Sequence, residues 1–386
     1  MSERIYLDYA ATTPLRPEVL EAMLPHLRGG GYNASSVHAE GRASRAVLDD
    51  ARERVARCIG AKAKEIVFTG SGSEADNLAL AGVVHACGAS RRHIVTSTIE
   101  HHAVLHTVDA LRDEGYEATL VAVDASGQID PELFAQALGE DTVLASVMYA
   151  NNELGTVAPV TQLAQIARAR GVLFHTDAVQ AAAYLPIDVG EIGVDLLSLA
   201  AHKLYGPKGV GALYVRDGTP IVPIVHGGSQ EFGKRAGTEN VAGIAGFATA
   251  LELALDERTE TGARVAALRE RFESRVRERI REVRVNGEAA MRAPHISNIS
   301  FLGVTSEQLL LRLDLDGVSV SAGSACAAGA IEPSHVIAAL GLPEEWTRGV
   351  IRFSFGRTTT QAEIDRTVEV LERAVADLRS FTEVPA

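Results

Sequence analysis

Cysteine is scarce in this chain: three in 386 residues. Three thiols do not make a disulfide framework, and reduced thiols in a cytoplasmic protein are the expectation. Positive charge is also in deficit. Lys and Arg number 37 against 50 Asp and Glu, a net charge of −13, which argues against a nucleic-acid footprint. No apolar run approaches the roughly 20 residues of a membrane span. The opening MSERIYLDYAATTP lacks the apolar core of a secretory signal. There is no internal repeat and no low-complexity linker. The cysteines offer no metal-ligand spacing, so no metal is expected. The glycine turn Thr69–Asn77, TGSGSEADN, is completed neither as a Walker A loop nor as GxGxxG, which disfavours a dinucleotide.

What is present is ordinary globular composition, 46% hydrophobic and 23% charged, on a length that suggests two domains. From Glu65 short apolar strands alternate with amphipathic helices. The strands are expected at Glu65–Thr69, His93–Ser97, Ala118–Val123, Val143–Tyr149, Val172–Asp177 and Val194–Leu199. That alternation implies a mostly parallel sheet covered by helices. Residues 256–283 read as a long solvent-facing helix rich in Arg and Glu. After it a strand at Ile296–Phe301, a helix at Ser306–Leu315 and a strand at Ile351–Ser354 suggest a smaller α+β domain. The expected division is an N-terminal segment, 1–15, packing on the small domain, a large domain, 16–255, and a small C-terminal domain, 256–386.

Candidate chemistry sits where strands stop. The run VDLLSLAAHKLYGPKG places Lys203 just past a buried strand. A lysine there can form a Schiff base if its amine is desolvated; a plain surface lysine is the competing reading, and Lys208 is the rival amine. Gly72 and Ser73 open a helix whose N–H groups can meet an anion. His101 follows the next strand and reads as a stacking or hydrogen-bonding imidazole, or as a helix cap. Asn152 follows the strand Val143–Tyr149. Asp177 ends another strand, with Gln180 three residues on. A carboxylate at that place can pair with a protonated ring nitrogen, the partner that pyridoxal phosphate needs as an electron sink, or can cap a helix. In a parallel sheet all these groups share the carboxyl edge. Ser321–Pro333, SAGSACAAGAIEP, holds one thiol, Cys326, among small residues. Persulfide chemistry needs an accessible thiolate; an incidental loop cysteine is the alternative.

Taken together, YLDYAATTP, FTGSGSEADN, EHHAVL, YANNELGT, HTDAVQ, AHKLYGPKG, HGGSQEFGKRAGTENV, SAGSACAAG and IRFSFGR resemble, in order and nearly end to end, the NifS/IscS-type cysteine desulfurases. These belong to the class V branch of the fold-type I enzymes that use pyridoxal phosphate. The resemblance implies a large domain with a mostly parallel sheet flanked by helices and a smaller α+β domain. It implies a homodimer acting on L-cysteine, with a sulfur-acceptor protein such as an iron–sulfur scaffold as partner. By the same resemblance Lys203 would hold the cofactor covalently and His101 would stack on it and assist proton transfer. Asp177 would meet the ring nitrogen, and Gln180 and Asn152 the ring oxygen side and substrate. Gly72, Ser73 and His202 would bind the phosphate, joined by Thr238 from a second subunit. Arg352, helped by Asn33, would clamp the substrate carboxylate, and Cys326 would be the nucleophile. Ala200 stands where the family usually has a hydroxyl, Ser229 and Phe232 where Gly and Arg are common, and Ala327-Ala328 where a polar pair is usual. A class V aminotransferase, a selenocysteine lyase and a non-catalytic sulfur-pathway subunit on the same fold are the competing readings.

Overall fold

The structure is a computed structural model that describes residues 4–88, 91–323 and 333–382. The chain enters through β1 (Ile5–Tyr6) and then α1 (Pro17–Pro25), which closes in a wider turn at His26–Gly30. Next comes α2 (Ala39–Cys58). The alternating stretch follows: β2 (Ile66–Thr69), α3 (Gly72–Cys87), β3 (His93–Ser97), α4 (His102–Asp113) and β4 (Glu117–Val121). It continues with α5 (Pro131–Ala137), β5 (Thr142–Ser146), α6 (Val160–Ala169), β6 (Leu173–Asp177), α7 (Val189–Ile192), β7 (Leu196–Ala200) and β8 (Gly211–Val215).

These seven strands, β2 to β8, form one sheet in the order β2-β8-β7-β6-β5-β3-β4. Only β8 runs against the rest, pairing antiparallel with both β2 and β7; the other pairings are parallel. The carboxyl ends of β2, β3, β5, β6 and β7 therefore lie on one edge. β2, β3, β5 and β7 are buried at every position. That explains their continuous apolar runs, because helices cover both faces. One core cluster gathers Leu48, Phe68, Phe134, Phe174, Leu197 and Phe247, and a second on the other face gathers Val67, Leu78, Ile94, Leu144 and Leu213.

The long helix differs from its sequence reading. α8 spans Val241–Arg279, and its first part, from Val241 to Leu251, is buried except at Thr249. It begins inside the stretch assigned to the large domain. Ala and Gly fill that part without an amphipathic stripe, so the 3.6-residue period shows only after the helix leaves the core. Beyond it lie β9 (Val283–Asn286), β10 (Ile296–Phe301), α9 (Ser306–Leu315) and β11 (Val318–Ser319). The chain ends with α10 (His335–Ala339), α11 (Glu344–Thr347), β12 (Val350–Ser354) and α12 (Gln361–Thr382). A three-stranded antiparallel sheet, β12-β10-β9, packs Phe301, Phe353 and Ile351 against Phe272 of α8 and Leu371 of α12. Ile5 and Leu7 belong to the same cluster, and β1 pairs parallel with β11. Phe232, in a left-handed turn at φ 59°, lies over the Arg52 guanidinium at 5.0 Å. That guanidinium is buried in a two-pronged pair with Glu231 at 2.6 Å on each prong.

Gly211 bears directly on the sheet edge. A Cβ there would lie 2.6 Å from the backbone of Ser71 and 2.8 Å from the carbonyl oxygen of Leu199. Both neighbours are backbone and cannot rotate away. Gly211→Ala should push the Ser71–Gly72 turn off the edge and cost about 1–3 kcal/mol. Denaturant unfolding measures it, and an unchanged midpoint would show that the turn gives way freely.

Candidate active site

A cavity of about 270 Å³ opens at the carboxyl edge, lined by groups from β2, β3, β5, β6, β7, the N-terminal segment and β12. Nine expected residues meet in it: Gly72, Ser73, His101, Asn152, Asp177, Gln180, His202, Lys203 and Arg352. Asn33 and Thr238 do not line it; both are exposed, and the Asn33 side chain accepts from the Ser35 N–H at 2.9 Å. Cys326 lies outside the described residues. Lys208 is exposed and does not line the cavity, whereas Lys203 does.

The anion end is built by α3. Ser71 caps it, its hydroxyl accepting from Glu74 N–H at 3.1 Å, while the Glu74 carboxylate accepts from Gly70 N–H at 2.8 Å. This Ser-x-x-Glu pattern fixes the first turn and leaves the Gly72 and Ser73 backbone at the cavity wall. A Cβ at Gly72 would meet Val179 Cγ2 at 2.8 Å and Ala200 Cβ at 3.3 Å. The glycine is thus required by close approach, and Ala200 supplies a methyl at that wall.

β7 delivers Lys203 through the single turn Ala201–Lys203. Its Nζ donates to the carbonyl oxygens of Ala10 and, at 2.8 Å, Ala11. The chain then turns sharply at Tyr205, a bulky residue at φ 61°, a conformation that costs about 1–3 kcal/mol. Thr13 Oγ1 accepts from Tyr205 N–H at 2.7 Å, and Arg16 N–H donates to the Tyr205 carbonyl at 3.0 Å. His202 is held at Nδ1 by Thr12 Oγ1, 3.2 Å away. Burial, then Lys203 and Lys208, push its pKa down to about 4.

His101 is both the cap of α4 and a cavity residue. Its Nδ1 accepts from Ala103 N–H at 3.1 Å, which leaves any proton of the neutral ring on Nε2. Burial, then Lys203 and the neighbouring His102, His335 and His106, push it down to about 4. Asp177 accepts from Val179 N–H at 2.9 Å. Burial holds its carboxyl above the ordinary value, while that N–H and Lys203 pull it back. Arg352, 1% exposed, donates to the Asn152 carbonyl at 2.8 Å and to Asp8 Oδ1 at 2.7 Å. Its Nε is buried with no partner among the described residues.

Sequence reasoning did not reach a group of buried polar side chains, of which Asp76 lines the cavity. His175 sits between Ser146 Oγ at 2.8 Å and Ser198 Oγ at 3.0 Å. Asp76, 1% exposed, lies 3.7 Å from its Nε2. Glu100 is fully buried and accepts from Ser97 Oγ at 2.5 Å and Met148 N–H at 3.0 Å. Both carboxylates stand inside quoted motifs, EADN and EHH, but nothing in the sequence marks them as buried. The N-terminal carbonyls carry no side-chain signal at all.

The donor set fits pyridoxal phosphate. A helix start closed by Gly72 suits a phosphate, a buried carboxylate suits a ring nitrogen, and a primary amine lines the same cavity.

Burial pushes Glu100 up to about 8, against the hydrogen bonds from Ser97 and Met148. A raised carboxyl pKa means that the folded state binds the proton more tightly than the unfolded chain. The stabilisation is therefore full below about 4.5 and is lost as the pH rises through about 8. Glu100→Gln should fold and flatten this decline between those limits, as read by denaturant unfolding across pH. A decline as steep as in the parent protein would remove Glu100 as its source.

The class V aminotransferase model matches residues 5–367. The cysteine desulfurase IscS of Dictyoglomus turgidum is 50% identical over 99% of this chain and 97% of its own length. The IscS of Methanosarcina thermophila is 43% identical over 99% and 94%. A NifS-like protein of solved structure superposes with a TM-score of 0.91 at 34% identity, covering 97% of this chain and all of its own. SspA, solved in complex with cysteine, gives 0.81 at 36% identity over 91% and 98%. A fold-type I architecture, a lysine at the carboxyl edge of its sheet and relatives of this closeness agree: the chain belongs to the class V aminotransferase family, among its IscS/NifS-type cysteine desulfurases.

Proposed function

We propose that the chain takes sulfur from L-cysteine, releases L-alanine and carries the sulfur as a persulfide on Cys326. The observation that supports this most is the single cavity that joins Lys203, Asp177, His101 and Arg352 to the start of α3. Bound pyridoxal phosphate supplies an electron sink for the substrate Cα–H and Cβ–S bonds. The chain's own groups do the rest. Lys203 would anchor the cofactor covalently, and its amine, when free, would take the proton from the substrate Cα. Asp177 would hold a proton on the ring nitrogen, and that cation would favour the ionised carboxylate against the cost of burial. His101, neutral with its proton on Nε2, can pass a proton at the ring face.

Gly72, Ser73 and His202 would hold the phosphate, and Thr238 of a second copy would reach it in a homodimer. Asn152 and Gln180 fix the ring oxygen side. Arg352 would receive the substrate carboxylate in a planar fork, with the Asn152 carbonyl and Asp8 keeping that guanidinium in place. Asn33 assists at the same end. The Cys326 thiolate attacks the substrate sulfur, the Cβ–S bond breaks, and the new S–S bond remains on the protein. An acceptor such as an iron–sulfur scaffold in the cytoplasm collects it. Among the described residues no helix is long and apolar enough to cross a membrane. The other thiols are poor candidates for this step. Burial pushes Cys58 up to about 11 and raises Cys87.

Cys326→Ser and Arg352→Ala separate the halves of this reading. The serine variant should stay yellow with cofactor, bind cysteine with a spectral change, and release no alanine. A hydroxyl yields almost no anion near neutral pH, whereas a thiol has a reference pKa of about 8.5. Arg352→Ala should lose the spectral change itself. Near-normal alanine and sulfide release from the serine variant would overturn the persulfide step and favour a lyase that expels sulfur directly.

A further inference from the structure

We propose that His295 is a positioning residue of the cofactor site: its Nε2–H fixes the Gln180 carboxamide so that the amide N–H edge faces Ala10 and the cavity. Nothing in the motifs pointed to His295, which precedes β10 and meets the segment after β6 at Gln180 and Tyr184.

His295 is 2% exposed. Its ring stacks on Tyr184 with centroids 4.2 Å apart and planes 15° apart. Nε2 stands 3.2 Å from Gln180 Oε1. Nδ1 is buried with no partner among the described residues. A neutral imidazole carries one N–H. Placed on Nδ1, that proton would be a buried donor left unmet, and two lone pairs would face each other at Gln180. Placed on Nε2, it makes the one hydrogen bond available. The ring is kept neutral by burial first, and then by the positive charges of Arg352, Lys203 and Arg269, which push its pKa down to about 3.

Once Gln180 Oε1 must accept, the amide has one orientation. Its Nε2 donates to the Ala10 carbonyl at 2.8 Å. The same carbonyl accepts from Lys203 Nζ. The result is a continuous chain: His295 donates to Gln180, Gln180 donates to Ala10, and Ala10 also receives Lys203. Gln180 lines the cavity beside Asp177 and Lys203, and its second N–H is a donor that an anionic ring oxygen can use. Without the His295 donor, Oε1 is buried and unmet. The side chain then gains by turning Oε1 toward the Lys203 ammonium, which competes with both the ring contact and the amine's seat on Ala10.

This rests on the cavity being the pyridoxal phosphate site, and the test separates the two claims. In the cofactor-free protein, nitrogen-detected histidine NMR should find His295 neutral with its proton on Nε2 from pH 5 to 8. A proton on Nδ1 would overturn the proposal whatever the cofactor does. Pyridoxal phosphate titration of the folded variants supplies the second arm. His295→Phe keeps a ring against Tyr184 and removes the donor; Gln180→Ala removes the acceptor. Each should weaken cofactor binding about 3- to 10-fold, the range of one hydrogen bond. The double variant should be no weaker than the worse single, because the two act as one unit. His295→Gln, which restores an N–H, should recover part of the affinity. Additive losses, or parental affinity in His295→Phe, would overturn the proposal. If the parent protein binds no pyridoxal phosphate, the functional reading fails while the NMR arm still decides the tautomer and the Gln180 orientation.

Discussion

The ammonium of Lys203 is seated on two backbone carbonyls, those of Ala10 and Ala11, contributed by a segment nearly two hundred positions earlier in the chain. Most of the site follows from that contact. A long flexible side chain at the end of a strand can point in many directions, and holding it in one costs side-chain entropy of up to about 2 kcal/mol. Two acceptors aimed at one amine offset that cost and aim Nζ at the cavity. The segment that supplies them is itself anchored at both ends. β1 pairs with β11 and buries Ile5 and Leu7 among the aromatic residues around Phe272. Thr12 and Thr13 bond to His202 and Tyr205.

The same segment ties Arg352 to Lys203. Asp8 pairs with Arg352, and Ser354 on the same strand as Arg352 receives the Ala10 N–H at 2.9 Å. Arg352 in turn donates to Asn152, which follows β5. A buried guanidinium without partners would be strongly unfavourable. Here two of its nitrogens are satisfied, one by Asp8 and one by the carbonyl of Asn152, which lines the cavity. Positioning of the Arg352 guanidinium and of the Lys203 amine thus depends on one short stretch of extended chain.

Much of this could be read from the residues. The strand-end places of Lys203, Asp177 and His101 were visible because buried parallel strands are continuous apolar runs, and whatever follows them falls on one edge. The reversed strand β8 did not disturb this, since it contributes no group to the cavity. Other features left no trace. Ala10 and Ala11 act through carbonyls that every residue possesses. The buried start of α8 has no stripe. His175, His295, Asp76 and Glu100 are ordinary polar letters until the fold removes water from around them. Thr238 and Asn33 are the reverse case: motif residues whose expected partners lie in another copy of the chain or in a bound substrate.

The central claim is that Lys203, seated on Ala10 and Ala11, is the amine that holds the cofactor. Borohydride reduction of the protein reconstituted with pyridoxal phosphate, followed by peptide mapping, tests it most directly. The account predicts one pyridoxyl label, on Lys203, and none in Lys203→Ala. A label on Lys208, or an undiminished label in the alanine variant, would contradict it.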